Sequence, residues 1–551
     1  MRARSFCPIY CTIDPSSKVK VSTFTEDMLN TDLKTLAPLT DYAIIVDPRD
    51  NVAVVKTETV PGLAIALPDA RVVGVRSAIS PGHRFATEEI PAGQFVRQYG
   101  QPIGTSRGIR AGEQVTHDNM TNDVPVVRDL PADLETPAPD YIPVSERATF
   151  MGFRRPDGRV GTRNFVLIVP TSMCSSHEAQ QISMIAEFAS YSREKYPNVD
   201  GVVAIPHNKG CGCQDGSNLD IMLRTLANYA DHPNVGAVIL MDLGCEKTNL
   251  SKVEEYLLKR DRPFLKPVAK IGVQDEGGTQ AAIERGLREV KQMLPEINRV
   301  VREEFPVSEL VLGVKCGASD GFSGISANPA LGRAADYLVR SGGTVLITEV
   351  PEFCGAEHIL ANRAKDAATG RAVYEMVDWY KDYASKFGGV LNNNPSPGNI
   401  KGGLLNITIK SLGAIAKAGT TRIESVTGYS ETPKTRGLVL MQGPGYDQES
   451  TPALVAAGAT VVVFTTGRGT TIGNAIAPVI KLTSNNEIFE RMNRDLDVSA
   501  GNILTGAETI DEVGARVFEH LRRVASGEIL AKAEENKHRE FQFWAEQTVS
   551  L

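Results

Sequence analysis

The chain repeatedly runs a short, wholly apolar segment straight into a loop of glycine and polar residues. Phe165-Val166-Leu167-Ile168-Val169 empties into Pro170-Thr171-Ser172, Val202-Val203-Ala204-Ile205 runs into His207, and Ala237-Val238-Ile239-Leu240-Met241 runs into Gly244-Cys245-Glu246. Helix-like stretches at 178–195 and 218–229 lie between them. A strand that is apolar on every residue must be covered on both faces, as helices cover a parallel sheet. The pattern predicts a doubly wound α/β region whose ligand sits beyond the carboxyl ends of the strands. It begins again near Glu309. Leu310-Val311-Leu312-Gly313 leads to Lys315-Cys316, and Val345-Leu346-Ile347 leads to Thr348-Glu349 and on to Cys354. Leu438-Val439-Leu440-Met441 leads to Gly443-Pro444-Gly445, and Val461-Val462-Val463-Phe464 to Thr465-Thr466-Gly467-Arg468-Gly469.

The amino-terminal part reads differently. Ala43-Ile44-Ile45-Val46, Val52-Ala53-Val54-Val55 and Val72-Val73-Gly74-Val75 are short strands cut by Gly and Pro, which predicts a compact β module over 42–120. Residues 1–41 are an unassigned extension. Pro125, Pro131, Pro137, Pro139 and Pro143 make 121–150 an extended linker. Two α/β domains follow at 151–305 and 306–551. The charged tail from Ala507 is expected to be helical with a solvated face. This partition agrees with a prior of about 100–200 residues per domain.

Composition removes several classes. A net charge of −7 argues against nucleic acid or an anionic membrane as partner. No apolar run reaches the roughly 20 residues of a membrane span. Met1-Arg2-Ala3-Arg4 is followed by no apolar h-region, so a cytoplasmic location is expected. The eight cysteines are then expected to be thiols.

Those thiols stand among polar residues, unlike core cysteines. The stretches are His207-Asn208-Lys209-Gly210-Cys211-Gly212-Cys213, Gly244-Cys245-Glu246-Lys247, Lys315-Cys316-Gly317-Ala318-Ser319-Asp320 and Glu352-Phe353-Cys354-Gly355-Ala356-Glu357. The one-residue gap in Cys211-Gly212-Cys213 is wrong for structural zinc. Cys174, Cys211, Cys245 and Cys316 could converge on an iron–sulfur cluster, although no cluster spacing is recognisable. Residues 465–471 have the glycines, hydroxyls and Arg468 to hold an anion, but lack the Walker lysine and the GxGxxG spacing. That argues against a nucleotide and favours a carboxylate-bearing substrate. His83 lies in a turn of the β module, Pro81-Gly82-His83-Arg84-Phe85.

These motifs resemble those of the altronate/galactarate dehydratases. The matching stretches are Gly152-Phe153-Arg154-Arg155, Gly161-Thr162-Arg163-Asn164, Gly210-Cys211-Gly212, Leu243-Gly244-Cys245-Glu246, the run from Leu312 to Gly332, Gly355-Ala356-Glu357-His358, Asn393-Asn394-Pro395-Ser396-Pro397-Gly398-Asn399 and Phe464-Thr465-Thr466-Gly467-Arg468-Gly469. The resemblance implies a SAF-type β-clip module, a second domain and a larger carboxy-terminal domain. It also implies removal of water from a sugar acid such as galactarate or altronate, giving a 2-keto-3-deoxy acid. The implied cofactor is a divalent metal, iron with manganese as the alternative, and no nucleotide. The chain departs from the family pattern at Thr116, Asn474, Ser499 and Cys354.

On this reading His83, Cys211, Cys245, Glu246 and Cys316 are the metal-ligand candidates. His207, Lys315, Asp320, Glu352, Glu357 and His358 are candidates for acid–base work, because dehydration needs a proton taken and another given. Arg163, Asn164, Asn208, Ser319, Asn394 and Arg468 are candidate substrate contacts. The competing readings are a lyase that expels sulfite from a sulfonated hydroxy acid, and a sugar-acid-binding protein that has lost catalysis. A homodimer is expected on base rate.

Overall fold

The computed structural model describes residues 36–390 and 394–545. The extension expected at 1–41 falls almost wholly outside them, as does Asn393. Residues 36–121 form three small three-stranded sheets, held by a core that includes Ala53, Val55, Ile65 and Phe85. The expected strands are present at Ala43–Ile44, Val52–Val55 and Val72–Gly74.

This module is docked firmly on the carboxy-terminal domain. Val52, Ala86, Ile90 and Val96 share a hydrophobic core with Leu312, Val345 and Ile347. The buried Arg84 donates to the carbonyl of Gly403 at 2.6 Å. The proline-rich segment that follows is extended, as expected, and is strapped along its length. Arg128 pairs with Asp378 at 2.7 Å and Glu357 at 3.2 Å, and the Thr136 and Ile142 amides donate to Lys365 and Arg340 carbonyls.

The second domain holds a four-stranded parallel sheet in the order Gly201–Ala204, Phe165–Pro170, Val235–Asp242, Val268–Gly272. Its first helix covers Met173–Ala189, starting earlier and ending earlier than the sequence pattern indicates. Ser172 is the reason: its hydroxyl accepts from the Cys174 amide and caps the helix before the periodic residues begin. An antiparallel sheet of Thr149–Arg154, Val160–Gly161 and Arg302–Pro306 closes the base of the domain.

The carboxy-terminal domain is built on seven parallel strands. Their order is Ile423–Thr427, Gly437–Met441, Thr344–Ile347, Val311–Gly317, Val461–Thr466, Val479–Thr483, Val498–Ser499. Together the two sheets confirm the doubly wound α/β class. The domains share a core in which Phe165, Leu226 and Tyr229 meet Val439, Leu454 and Trp544. Among the described residues no helix is long and apolar enough to cross a membrane.

The tail departs from expectation. Helix Ile510–Ala525 buries Val513, Val517, Leu521 and Val524 and packs on Ala327–Arg340, with the Phe518 and Tyr337 rings 4.3 Å apart. Its charges occupy the other face only, as in any amphipathic helix. Leu521→Ala should therefore cost about 2–5 kcal/mol in urea unfolding. A change under about 0.5 kcal/mol would be that of a solvated surface position.

Candidate active site

The seven-stranded sheet reverses its winding at Val311–Gly317. The chain leaves that strand for Thr344–Ile347 on one side and returns on its other side at Val461–Thr466. Loops after the two strands diverge, and this switch point is where open α/β sheets bind ligands. Asp320 follows the first strand and Arg468 the second. A Cβ at position 467 would stand 2.2 Å from the Asp320 Cγ, so glycine there is what lets the two loops close.

A cleft of about 760 Å³ opens between these loops and the β module. Asp320, Arg468, Lys401, Lys56 and Arg491 line it. Arg468 is exposed, whereas Asp320 is buried in the wall. The Asp320 carboxylate accepts from the Ser323 hydroxyl at 2.8 Å, the Ser484 hydroxyl at 3.0 Å, the Asn485 amide at 3.2 Å and the Phe322 backbone at 3.1 Å. Burial raises its pKa against these donors. His83 is half-buried nearby, with Nε2 at 3.2 Å from the Lys401 carbonyl oxygen, and burial lowers its pKa. A smaller cavity of about 330 Å³ lies at the amino edge of the same sheet, by Val311, Thr344 and Thr460. Sheets of this class do not carry their sites at that edge.

Behind the cleft lies a buried charge cluster. Lys315 ends the central strand and pairs with Glu349, and with Asp447 at 2.7 Å. Lys417 holds Glu349 at 3.0 Å and the Cys316 Sγ at 3.1 Å. Lys410 holds Glu352 at 2.8 Å and the Asn394 side-chain oxygen at 2.9 Å. The Cys316 thiol donates to Glu352 at 3.0 Å. Of these, the sequence motifs pointed to Lys315, Cys316, Glu352 and Asn394, but not to Glu349, Lys410, Lys417 or Asp447. One signal for the lysines was present: they interrupt the apolar run 407–418, where an unpaired ammonium could not stay. Glu349 has φ +80°, a left-handed backbone that costs a non-glycine residue about 1–3 kcal/mol.

The charges set each other's protonation. Burial pushes the Glu352 carboxyl up, but Lys410, Lys417 and Lys315 outweigh it and hold the pKa at about 2. Burial and Glu352 push Glu349 up. Burial, with Glu349 and Glu352 beside it, pushes the Cys316 thiol up. Burial disfavours the ammonium of Lys417, and the neighbouring Cys316 and Glu349 reverse that effect, leaving its pKa raised.

Family models match all three parts of the chain. "Altronate/galactarate dehydratase SAF domain" covers 41–123, "D-galactarate dehydratase/Altronate hydrolase, second domain" covers 152–298, and "D-galactarate/Altronate dehydratase, C-terminal" covers 307–549. The galactarate dehydratase (L-threo-forming) of Escherichia coli K12 is 38% identical over 512 residues, which is 91% of this chain and 95% of that one. The altronate dehydratase of Bacillus subtilis 168 is 37% identical over 83% of this chain and 90% of its own length. The chain belongs to the altronate/galactarate dehydratase family. The (2R)-sulfolactate sulfo-lyase subunit beta of Chromohalobacter salexigens is also similar, at 34% identity over 71% of this chain and 96% of that one.

Several residues within the family motifs serve the fold. His207 is buried, with Nε2 donating to the Pro170 carbonyl at 3.0 Å and Nδ1 accepting from the Lys209 amide at 3.2 Å. Both ring nitrogens are thus engaged, and burial lowers its pKa to about 4. Arg163 forks onto Glu534 at 2.6 and 2.8 Å, and Asn164 accepts from Arg155 and donates to the carbonyls of Asn198 and Ile297. Glu357 clamps Arg128 of the strap and Lys381. His358 faces Gln101 of the β module at 3.4 Å, and Asn208 accepts from Gln542 at 3.3 Å. Ser319 is different: its carbonyl accepts from Asn399, while its buried hydroxyl has no partner. Asn474, one of the departures, holds the Tyr229 hydroxyl at 2.8 Å within the interface of the two α/β domains.

The expected metal-ligand set does not form one group. His83 sits at Lys401, Cys316 is sealed in the charge cluster, and Cys211 and Cys245 are exposed on the second domain. Glu246 spends both oxygens on the Thr171 and Ser172 hydroxyls and the Leu243 and Gly244 amides. Among the described residues, the group of three ligand-type atoms within 4.8 Å of one another is Cys316, Glu349 and Glu352. These are close enough to hold an ion. Three ammoniums already occupy those atoms and balance three carboxylates, so a cation there would meet their positive charge. The group as arranged does not fit a divalent metal.

A group held below its ordinary pKa stabilises the fold above that ordinary value and loses the contribution as pH falls. For Glu352 the window runs from 4.5 down to about 2. Urea unfolding midpoints should fall through that window, and Glu352→Gln should flatten the fall. An unchanged slope in the variant would contradict the arrangement. Lys417→Met should cost about 3–5 kcal/mol, because it strands Glu349.

Proposed function

We propose that this chain removes water from a sugar acid at the cleft between the β module and the carboxy-terminal domain. The observation that carries the reading is that Arg468 and Asp320 stand together at the switch point of the sheet, in a cleft with Lys401, Lys56 and Arg491. The names of the relatives supply the substrate class.

The chemistry takes a weakly acidic proton next to a carboxylate and expels hydroxide from the next carbon. The exposed guanidinium of Arg468 is suited to fork onto that carboxylate. The surrounding lysine and arginine charges offset the negative charge that develops as the proton leaves. Two titratable groups then have opposite biases, the arrangement expected of an acid–base pair. Burial favours neutral imidazole at His83, with Nε2 donating to Lys401 and Nδ1 left to take the proton. Burial raises the pKa of Asp320, the direction required of a group that gives a proton to the departing oxygen. Ser323, Ser484 and Asn485 fix its orientation.

A second reading, expulsion of sulfite from a sulfonated hydroxy acid, draws support from the sulfo-lyase relative. The same base and anchor would serve it. Turnover on a panel of aldonates, aldarates and sulfolactate, read as keto acid and as sulfite, separates the two.

Arg468→Ala should raise KM about 10–100-fold with kcat little changed, the scale of one or two charged hydrogen bonds. Asp320→Asn and His83→Ala should each lower kcat about 10²–10⁴-fold. Because the pKa of His83 is lowered, activity should persist below pH 6.5, and His83→Ala should abolish the acid limb of the profile. Full turnover in all three variants would remove the cleft from the mechanism.

A further inference from the structure

The second domain carries a set of thiols that the cleft does not use. Cys174, Cys211 and Cys245 are exposed, while Cys213, Cys316 and Cys354 are buried. The three exposed thiols follow three adjacent parallel strands. Pro170 and Met241 are register partners, and Cys174 and Cys245 each lie four residues beyond that pair. Cys211 follows the neighbouring strand, whose Ala204 pairs with Ile168.

Their loops are knotted together at Ser172. The Met173 amide donates to the Lys209 carbonyl at 2.6 Å. A Cβ on Gly210 would stand 3.1 Å from the Ser172 Cβ, a tight contact, so the Cys211 loop lies closely on it. The Ser172 hydroxyl donates to Glu246 at 2.8 Å, fixing the loop of Cys245. The Ser176 hydroxyl meets the backbone of His207 at 3.1 and 3.2 Å. Glu246 and His207, two of the ligand and base candidates, thus act as struts that hold three thiol loops on one helix amino terminus.

We propose that Cys174, Cys211 and Cys245 ligate an iron–sulfur cluster of the four-iron type. Three thiolates take three irons and leave the fourth open to water or another oxygen donor. The chemistry of the donor set decides between centres. A single tetrahedral ion needs its sulfurs packed around one point, and among the described residues these three do not form a ligand group within 4.8 Å. A cluster binds its cysteines through separate irons, so they stand further apart. The facing charges suit an anionic centre: the amino end of helix Met173–Ala189, with Lys209 and Lys247, the latter paired with Asp215 at 3.0 Å. Glu449 approaches Lys209 from the carboxy-terminal domain. In assembly each thiol gives its proton to solvent as its thiolate binds iron. The irons, supplied in equal parts as ferrous and ferric, are bridged by supplied sulfide, so no further oxidant is needed. The assignment stands whatever sugar acid the chain acts on.

The test is anaerobic reconstitution of the full chain with ferrous and ferric iron in equal parts and sulfide, followed by iron and acid-labile sulfide counts and Mössbauer spectra. About four irons and four sulfides per chain are expected. Cys174→Ala, Cys211→Ala and Cys245→Ala should each cut that content at least four-fold, with far-UV circular dichroism unchanged. Cys213→Ala and Cys316→Ser should retain it. Iron without sulfide, no retained iron, or content indifferent to the three exposed thiols would overturn the proposal. A loaded chain without turnover would count against the dehydratase reading alone. Turnover by a triple variant free of iron and sulfide would leave that reading standing and show that it does not need the cluster.

Discussion

The interaction on which the rest of the site depends is the mutual neutralisation of Lys315, Lys410 and Lys417 against Glu349, Glu352 and Asp447. Any one of the buried members alone would cost several kcal/mol to bury. Together they are tolerated, and in being tolerated they fix four segments of chain. Lys315 ends the central strand, Glu349 and Glu352 follow the next, Asp447 begins the helix after Gly437–Met441, and Lys410 and Lys417 come from 407–418. The carboxyl edge of the sheet is thereby locked by electrostatics where it is not locked by packing. Lys410 extends the lock to Asn394, at the start of the segment that carries Lys401 to the cleft.

That segment is also the seat of the β module. Gly402, Gly403 and the Lys401 carbonyl meet Gly82, Arg84 and His83, so the module's turn and the cleft wall are one contact. The module is therefore part of the cleft wall by construction. Its shared core with Leu312, Val345 and Ile347 gives it no freedom to act as a tethered lid.

The architecture was legible because it rests on period and punctuation. Apolar runs such as 165–169 and 461–464 can only be buried parallel strands, and their glycine-rich ends announce the edge that binds. The cleft partners Asp320 and Arg468 were legible for the same reason. Pairing was not. Nothing local in the sequence says that Lys417 meets Glu349 or that Arg163 meets Glu534, because these contacts join residues far apart in the chain. For that reason nothing in the sequence shows that Glu246, Glu357 and His207, chemically apt by type, are also tied into the fold as braces. The helix and solvated face expected of the tail are there, but the charges of 510–525 hid the full apolar stripe on its other side.

The cysteines divide in a way that their sequence settings do not reveal. Cys316 lies in the last residues of a strand and Cys354 follows one, as Cys211 and Cys245 do, yet the first two are sealed and the others open. The carboxy-terminal edge has filled its space with ion pairs, while the second domain's edge has left its thiols free of such partners. In the account proposed above, acid-binding charge lies at one edge and cluster-binding sulfur at the other. The most direct test of its central claim is a crystal structure of the Asp320→Asn chain with its sugar acid bound. The expected result is a carboxylate on the Arg468 guanidinium, in the cleft that Asp320 and Lys401 line. A sugar acid found away from Arg468, with the cleft empty, would contradict it.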